Sequence, residues 1–228
     1  MIIPMFQPVK STTTGDIVGA EVLIRWLFDG VYYSPSDVRV EIRWGDIDKA
    51  MILLLIKNID AIDKRYNQIM VNVSEDTLKS DHLFHSWCKQ VRRFNMLSRT
   101  EFMVEVTEGV SDTTILRRWD ALKKLGASLV MDDYGHQNSS LDRLVSYPWD
   151  ACKFDVKRVA GTDRKDAEGL QFCRDKGIRI IGEQVETERL ASQAAVLGIK
   201  LQQGYLHGRA ELLDGWVTHE VKEAIAVP

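Results

Sequence analysis

The chain has few cysteines, no excess of positive charge and no long apolar run, and each shortage excludes a class of protein. Its three cysteines, Cys88, Cys152 and Cys173, are odd in number and widely spaced, so they build neither a disulfide framework nor a CxxC metal or redox site. A formal net charge of −3 gives no basic surplus with which to neutralise a polynucleotide backbone. We therefore predict a cytoplasmic protein that has no long nucleic acid as its partner.

The main apolar run, from Met51 to Ile56, is far shorter than the roughly 20 residues that a membrane-spanning helix needs. The first residues carry no basic stretch of the kind that opens a secretory signal. The sequence therefore predicts neither membrane insertion nor secretion. Its 228 residues, 45% of them apolar, fit one folded core, and no linker, repeat or low-complexity segment divides them. We predict a single domain over residues 1–228.

Short β-branched runs alternate with amphipathic segments along most of the chain. The candidate strands are residues 6–9, 17–24, 69–73, 102–106, 128–131, 151–154, 178–181 and 200–202. The candidate helices are residues 46–66, 81–94, 113–125, 167–176 and 188–197. Three of these helices end before a glycine, as C-capping favours: Gly126, Gly177 and Gly198. Strand-then-helix alternation predicts parallel strands, and eight of them close most simply into a barrel.

The first two strands break this rule. Only a polar turn, residues 11–16, separates them, and a parallel crossover needs about a dozen residues or more. We therefore predict an α/β fold, a modified TIM (β/α)₈ barrel with an antiparallel first strand. In such barrels the chemistry lies at the carboxyl ends of the strands.

Acidic, amide and lysine side chains cluster at those predicted strand ends. They are Asn72, Glu105, Asp132, Asp133, Lys153, Glu183 and Gln203, and Glu21 lies on the antiparallel pair. Carboxylates gathered in one mouth would repel and hold protons without a counter-charge. Oxygen ligands without a histidine or cysteine cluster suit Mg²⁺ or Mn²⁺ rather than zinc. Two such ions sharing a bridging carboxylate suit phosphodiester cleavage, and Asp132-Asp133 is the obvious bridge.

Each of these residues could also have a purely structural role. A carboxylate at a strand end often caps a neighbouring helix. Lys153 could extend from a core position with its ammonium in water, and Asn72 and Gln203 could satisfy backbone groups. Their joint placement at one predicted edge favours a functional site.

Eight ordered motifs resemble the EAL domain family over nearly the whole chain. Five are Phe6-Gln7-Pro8-Val9, Glu21-Val22-Leu23-Ile24-Arg25-Trp26, Val71-Asn72-Val73-Ser74, Val104-Glu105-Val106-Thr107-Glu108 and Asp132-Asp133-Tyr134-Gly135. Three more are Lys153-Phe154-Asp155, Gly182-Glu183-Gln184-Val185-Glu186 and Gln203-Gly204-Tyr205-Leu206. The resemblance implies a phosphodiesterase that hydrolyses cyclic di-GMP to linear pGpG.

The resemblance also implies a role for each matching residue. One divalent cation would be bound by Glu21, Asn72, Glu105 and Asp132, and a second by Asp132 and Asp133. Lys153 and Glu183 would orient and deprotonate the attacking water, with Gln203 supporting it. Substrate contacts would come from Gln7, Leu23 and Arg25, and Glu108 would anchor the loop after Asp133. Mg²⁺ or Mn²⁺ would support turnover and Ca²⁺ would inhibit it, in a homodimer.

Four departures from the family pattern are visible. Val22 replaces the signature alanine, and Gln184 stands where glycine is usual. The loop of residues 135–140 has His136, Gln137 and Asn138 in place of threonine, glycine and tyrosine, and residues 34–48 lack most of the usual apolar-acidic pattern. The altered loop predicts weaker coupling between dimerisation and activity.

Two other functions compete with the enzyme. The first is a catalytically weak or silent module that binds cyclic di-GMP or a protein partner, but silent members of the family typically lack ligands that this chain keeps. The second is a barrel enzyme of unrelated chemistry, which would require eight ordered motifs to arise by coincidence. We therefore favour the phosphodiesterase over both alternatives.

Overall fold

A computed structural model describes residues 1–39, 41–161 and 164–218 of the chain. Its strands are β1 (Ile2–Ser11), β2 (Ile17–Phe28), β3 (Val31–Tyr33), β4 (Gln68–Val73), β5 (Glu101–Val106), β6 (Ser128–Met131), β7 (Ala151–Asp155), β8 (Arg179–Glu183) and β9 (Leu201–Gln203). They form one sheet in the order β1-β9-β8-β7-β6-β5-β4-β2-β3, which a β1–β2 pairing closes into a barrel.

The predicted barrel is confirmed, including its antiparallel element. Strand β1 runs antiparallel to both neighbours, β2 and β9, whereas the pairings from β2 through β4 to β9 are parallel. Strand β3 lies outside the barrel and was not predicted. It forms a hairpin with β2 across Asp29 and Gly30, both of which have positive φ, as a tight two-residue turn requires.

Helices cover the outside of the barrel. Within the described residues they are α1 (Trp44–Lys57), α2 (Ile59–Arg65), α3 (Glu75–Lys79), α4 (Asp81–Leu97), α5 (Asp112–Lys123), α6 (Leu141–Ser146), α7 (Val156–Val159), α8 (Arg164–Lys176) and α9 (Glu188–Val196), with a 3₁₀ turn at Pro35–Asp37. Hydroxyl side chains accept from backbone amides at five helix starts, namely Ser74, Ser80, Ser111, Ser140 and Thr187. Gly126, Gly177 and Gly198 adopt the left-handed conformation expected of C-caps.

The single helix predicted over residues 46–66 is wrong, because Asn58 divides it into α1 and α2. The Asn58 side chain donates to the carbonyl of Leu54 and to the carbonyl of Val217, and it accepts from the Val217 amide. These bonds tie the helix break to the C-terminal segment. None of the helices described is long and apolar enough to cross a bilayer.

The barrel interior is built in three layers, because alternate residues of a strand face the same side. The lowest layer is polar: Arg179 donates to Gln68 and Glu101, and to Ser128 at 3.0 Å. The middle layer is apolar and fully buried, and consists of Val9, Met70, Met103, Val130, Ala151 and Ile181. Two residues further along each parallel strand of that layer lie Asn72, Glu105, Asp132, Lys153 and Glu183. The alternation of the strands thus delivers the predicted site residues to one end of the barrel.

Candidate active site

Lys153 stands at the centre of the upper layer and is almost fully buried. Its Nζ lies 3.2 Å from Glu21 Oε2, 3.1 Å from Asp132 Oδ1 and 2.8 Å from Glu183 Oε1, and it also contacts Glu105 Oε1. The four carboxylates come from β2, β5, β8 and the residue after β6. One ammonium therefore faces four acidic groups in a largely buried site.

Amide side chains complete this group around Glu21. Gln203 Nε2 donates to Glu21 Oε2 at 2.6 Å and to Gln7 Oε1 at 3.2 Å, while Asn72 Nδ2 donates to Glu21 Oε1 at 3.3 Å. The antiparallel β1 explains the position of Gln7, because its register pairs Gln7 directly with Glu21. Both strands at the seam of the barrel thus supply polar groups to the site.

A second acidic group adjoins the first through Asp132. Carboxylate oxygens of Glu108, Asp132 and Asp133 all lie within 4.8 Å of one another, a spacing that suits one metal ion. The loop after Asp133 is joined to Glu108, whose carbonyl accepts from the amide and the side chain of Asn138. Gln137 Nε2 reaches Glu108 Oε1 at 3.4 Å. Glu108 therefore contacts the loop that it was predicted to anchor, and it also lies where it can bind a cation.

The crowding of charge shifts the acid–base properties of the site. Burial raises the pKa of Glu105 well above its usual range, and the charge of Glu21 adds to the rise while Lys153 opposes it. Burial also raises the pKa of Glu183 to about 8, against the opposing effect of Lys153. Burial would lower the pKa of Lys153, but the carboxylates, Asp132 foremost, raise it well above its ordinary value. The raised pKa values of Glu105 and Glu183 indicate that the positive charge of Lys153 does not balance the negative groups of this site.

The donor set fits hard divalent cations. Three buried oxygens in this group accept no hydrogen bond from the described residues: Glu105 Oε2, Glu183 Oε2 and Gln203 Oε1. Buried acceptors without partners are costly, and a cation would satisfy them while supplying the missing charge. Carboxylate and amide oxygens are the ligands of Mg²⁺, Mn²⁺ and Ca²⁺. The residues present are therefore suited to such ions.

A cleft of about 440 Å³ adjoins the acidic groups. Asn72 and Glu108 line its inner end, and Leu23 and Arg25 of β2 line one wall. The structure thus brings all the site residues predicted from the sequence to one end of the barrel. The opposite wall, formed by α1, was not predicted as part of a site. Most of that wall lies within residues 34–48, the segment that lacks most of the usual family pattern.

Two glutamines keep a backbone conformation that favours glycine. Gln184 has φ +56° and Gln137 has φ +40°, both in the left-handed region. These are two of the positions where the resembling family has glycine. Each of these turns thus carries a side chain on a backbone conformation that glycine adopts more readily.

The sequence model of the EAL domain family matches residues 1–210 of the chain. The chain belongs to the EAL domain family. The resemblance seen in the motifs is thereby confirmed. EAL domains of solved structure share its architecture, among them the PaMucR phosphodiesterase in complex with c-di-GMP, with a TM-score of 0.70, 24% identity, and coverage of 92% of each chain. The Bacillus subtilis YkuI protein, in complex with c-di-GMP and calcium, matches with a TM-score of 0.77 and 21% identity, over 96% of this chain and 56% of its own.

Curated relatives contain the EAL region as part of longer chains. The cyclic di-GMP phosphodiesterase RocR of Pseudomonas aeruginosa is 28% identical over 90% of this chain and 56% of its own length. The biofilm architecture maintenance protein MbaA of Vibrio cholerae is 25% identical over 89% of this chain and 27% of its own length. The chain spans only about a quarter to a half of the length of these relatives.

Proposed function

We propose that this EAL domain is a metal-dependent phosphodiesterase that hydrolyses cyclic di-GMP to linear pGpG. The observation that carries the proposal is the buried Lys153 among four carboxylates, beside buried acceptors that no described residue satisfies. Relatives such as RocR, named as cyclic di-GMP phosphodiesterases, support the substrate. Three free cysteines support action in the cytoplasm.

Two divalent cations, Mg²⁺ or Mn²⁺, are proposed as cofactors, with Ca²⁺ as an inhibitor. One would be held by Glu21, Asn72, Glu105 and Asp132, and the other by Asp132 and Asp133. The closeness of Glu108 to that pair adds it as a candidate ligand. When bound, such ions lower the pKa of water and stabilise negative charge on phosphoryl oxygens. Ca²⁺ fills oxygen sites with longer, more flexible bonds.

The residues of the chain would then position the water and move its proton. Lys153 Nζ would hold the attacking water by donating a hydrogen bond to its oxygen. Glu183 Oε2, which has no protein donor among the described residues, would accept the proton. Gln203 would hold the water network through its amide, and Gln7, Leu23 and Arg25 would contact the substrate. A general base typically contributes about 10²–10⁴ in rate.

Substitution of the base tests this proposal. Glu183→Gln keeps size and hydrogen bonding but removes the base, so kcat should fall by roughly 10²–10⁴. Affinity for cyclic di-GMP, measured by calorimetry in Ca²⁺, should change little. Glu188→Gln, at the exposed start of α9, is the matched control and should keep wild-type turnover. The product pGpG is separated from substrate by chromatography.

Two outcomes would contradict the proposal in different ways. Wild-type turnover by both Glu183→Gln and Lys153→Ala would reject the assigned roles. Wild-type protein that binds cyclic di-GMP but never cleaves it, with either Mg²⁺ or Mn²⁺, would replace the enzyme by a binding module.

A further inference from the structure

The loop that carries Asp132 and Asp133 also contacts residues that have no part in the chemistry proposed above. The loop turns sharply after β6, because Asp133 has φ +46° and Gly135 has φ +88°, both in the left-handed region. This conformation costs an L-residue about 1–2 kcal/mol, so Asp133 keeps it only where surrounding contacts hold the backbone. Those contacts determine where the Asp133 carboxylate lies.

The side chain of Arg158, in α7, lies against the middle of that loop. Its Nη1 donates to the Tyr134 carbonyl at 3.3 Å. A Cβ atom added to Gly135 would stand only 2.7 Å from Arg158 Nη1 and 2.9 Å from its Cζ, so the planar guanidinium rests directly on the glycine backbone. Arg158 Nη2 also pairs with Oδ1 of the buried Asp166 in α8 at 3.1 Å. One side chain therefore links two residues of the loop to α8.

The other polar groups of Tyr134 are held by the body of the barrel. Its amide donates to the Lys153 carbonyl at 3.1 Å, and its hydroxyl donates to the Lys165 carbonyl at 3.0 Å. The peptide between Asp133 and Tyr134 is thus tied to β7, whereas the carbonyl on the far side of Tyr134 is held by Arg158. Both peptides that flank Tyr134 are fixed only when Arg158 is present.

Arg158 differs from Glu108, which contacts another part of the same loop. Glu108 binds residues 137 and 138, and its own carboxylate lies close enough to Asp132 and Asp133 to share a cation with them. A guanidinium is permanently positive and has no acceptor, so Arg158 cannot be a metal ligand. Any effect of Arg158 on a bound cation must pass through the backbone of residues 134 and 135.

We propose that Arg158 is a positioning residue for the cation that Asp132 and Asp133 would hold. By fixing the Tyr134 carbonyl and the Gly135 backbone, it keeps Asp133 in the conformation that presents its carboxylate to the ion. This inference rests on the two cations of the proposed function. Groups that orient metal ligands from outside typically contribute about 10–100-fold to metal affinity. Loss of Arg158 therefore weakens this cation site and leaves the other one unchanged.

Binding of Mn²⁺ tests this role without any turnover. Free Mn²⁺ has an EPR signal that is lost when the ion binds to protein, so a titration gives the number of sites and their dissociation constants. Arg158→Met keeps an aliphatic side chain but removes the donors, and should raise the dissociation constant of one site by about 10–100-fold. Arg174→Met is the matched control, because Arg174 of α8 also donates to a carbonyl, that of Leu197, away from the loop. It should bind Mn²⁺ as the wild type does.

Two further variants identify the weakened site and guard against misfolding. Asp133→Asn removes a carboxylate of that site, so adding Arg158→Met to it should weaken Mn²⁺ binding no further. Arg158→Lys keeps a positive charge beside the buried Asp166 but loses the planar group that lies on Gly135, so it should fold and weaken the same site.

The Mn²⁺ dependence of hydrolysis gives a second readout. Arg158→Met should need about 10–100-fold more Mn²⁺ than the wild type for half-maximal turnover of cyclic di-GMP. At saturating Mn²⁺ its kcat should return to within about threefold of wild type, because Arg158 takes no part in bond cleavage. A general loss of folded protein would lower the rate at every Mn²⁺ concentration.

Each failure points to a different error. Wild-type Mn²⁺ affinity in Arg158→Met, or in Arg158→Lys should Arg158→Met not fold, would overturn the positioning role, and hydrolysis by the wild type would still support the proposed function. Equal weakening of both sites, or the same weakening in Arg174→Met, would also overturn it. If Arg158→Met weakens one site but the wild type never cleaves cyclic di-GMP, the positioning role stands and the proposed function falls.

Discussion

Replacement of Gln184 by glycine should stabilise this protein, although most substitutions beside an active site destabilise. Gln184 follows Glu183 and has φ +56°, a conformation that costs an L-residue about 1–2 kcal/mol. Its side chain is exposed and makes no hydrogen bond with any described residue. Removing the side chain therefore relieves the backbone and loses almost no contact.

The expected gain is smaller than the strain because glycine also loses more entropy on folding, by about 0.5–1 kcal/mol. Subtracting this cost from the strain leaves a net stabilisation of about 0–1.5 kcal/mol, with a midpoint of roughly 0.75 kcal/mol. For a domain of this size, 1 kcal/mol shifts Tm by about 2–4 °C, so Tm should rise by about 1–4 °C. The left-handed backbone is kept, so Glu183 keeps its position and turnover should stay within about twofold.

Differential scanning calorimetry measures the effect, and a second glutamine supplies the control. Gln171 lies in α8, with its side chain donating to Asp175 Oδ1 at 2.8 Å. Gln171→Gly is the same chemical change in a right-handed helix, where glycine costs about 1 kcal/mol, so its Tm should fall. A Tm that is unchanged or lower in Gln184→Gly would refute the argument from backbone strain.

Three further predictions concern charge and assembly. Glu21→Ala and Asp132→Ala should each abolish hydrolysis at saturating Mn²⁺; near wild-type turnover in either would contradict the two-metal assignment. Burial raises the pKa of Asp48 from 3.8 to about 6, so the folded state favours the protonated carboxyl. The free energy of unfolding should therefore fall as pH rises between those two values. Asp48→Asn removes this titration, so in thermal melts the variant should gain about 2–3 kcal/mol of stability relative to the wild type between pH 3.5 and pH 8. The same difference between variant and wild type at both pH values would contradict this prediction. Sedimentation should show a homodimer whose activity depends only weakly on protein concentration, given the altered loop of residues 135–140; a fully active monomer would remove the coupling.

The strands were predictable because buried β-branched runs and short turns repeat with a strong local signal. What escaped prediction depends on single side chains or on distant contacts. The hairpin to β3 follows from the Asp29-Gly30 pair, a turn signal that was present in the sequence but not used. The break at Asn58 could not be predicted locally, because it depends on bonds to Val217, which is distant along the chain. Short helices such as α3, α6 and α7 have too few residues for a periodic pattern.

The acidic groups of the site were predictable from strand ends, because alternation along each strand sends residues such as Glu105 and Lys153 to one opening. The contribution of α1 to the cleft could not be predicted in this way. Trp44 and Asp48 have the spacing of any helix face, and only the packed structure shows that this face borders a cleft rather than the core. Glu108 was predicted as an anchor, whereas its distance to Asp132 and Asp133 required coordinates.

The apolar middle layer of the barrel separates the acidic groups of the candidate site from the lower end. Six fully buried side chains fill it, and the Arg179 network lies beneath them. A buried apolar layer offers water and ions no favourable path, so we expect the site to exchange with solvent through the end of the barrel where the acidic groups lie. If the proposed hydrolysis takes place there, water, product and the released proton would all pass through that same end, and pGpG that stayed bound would delay the next turnover.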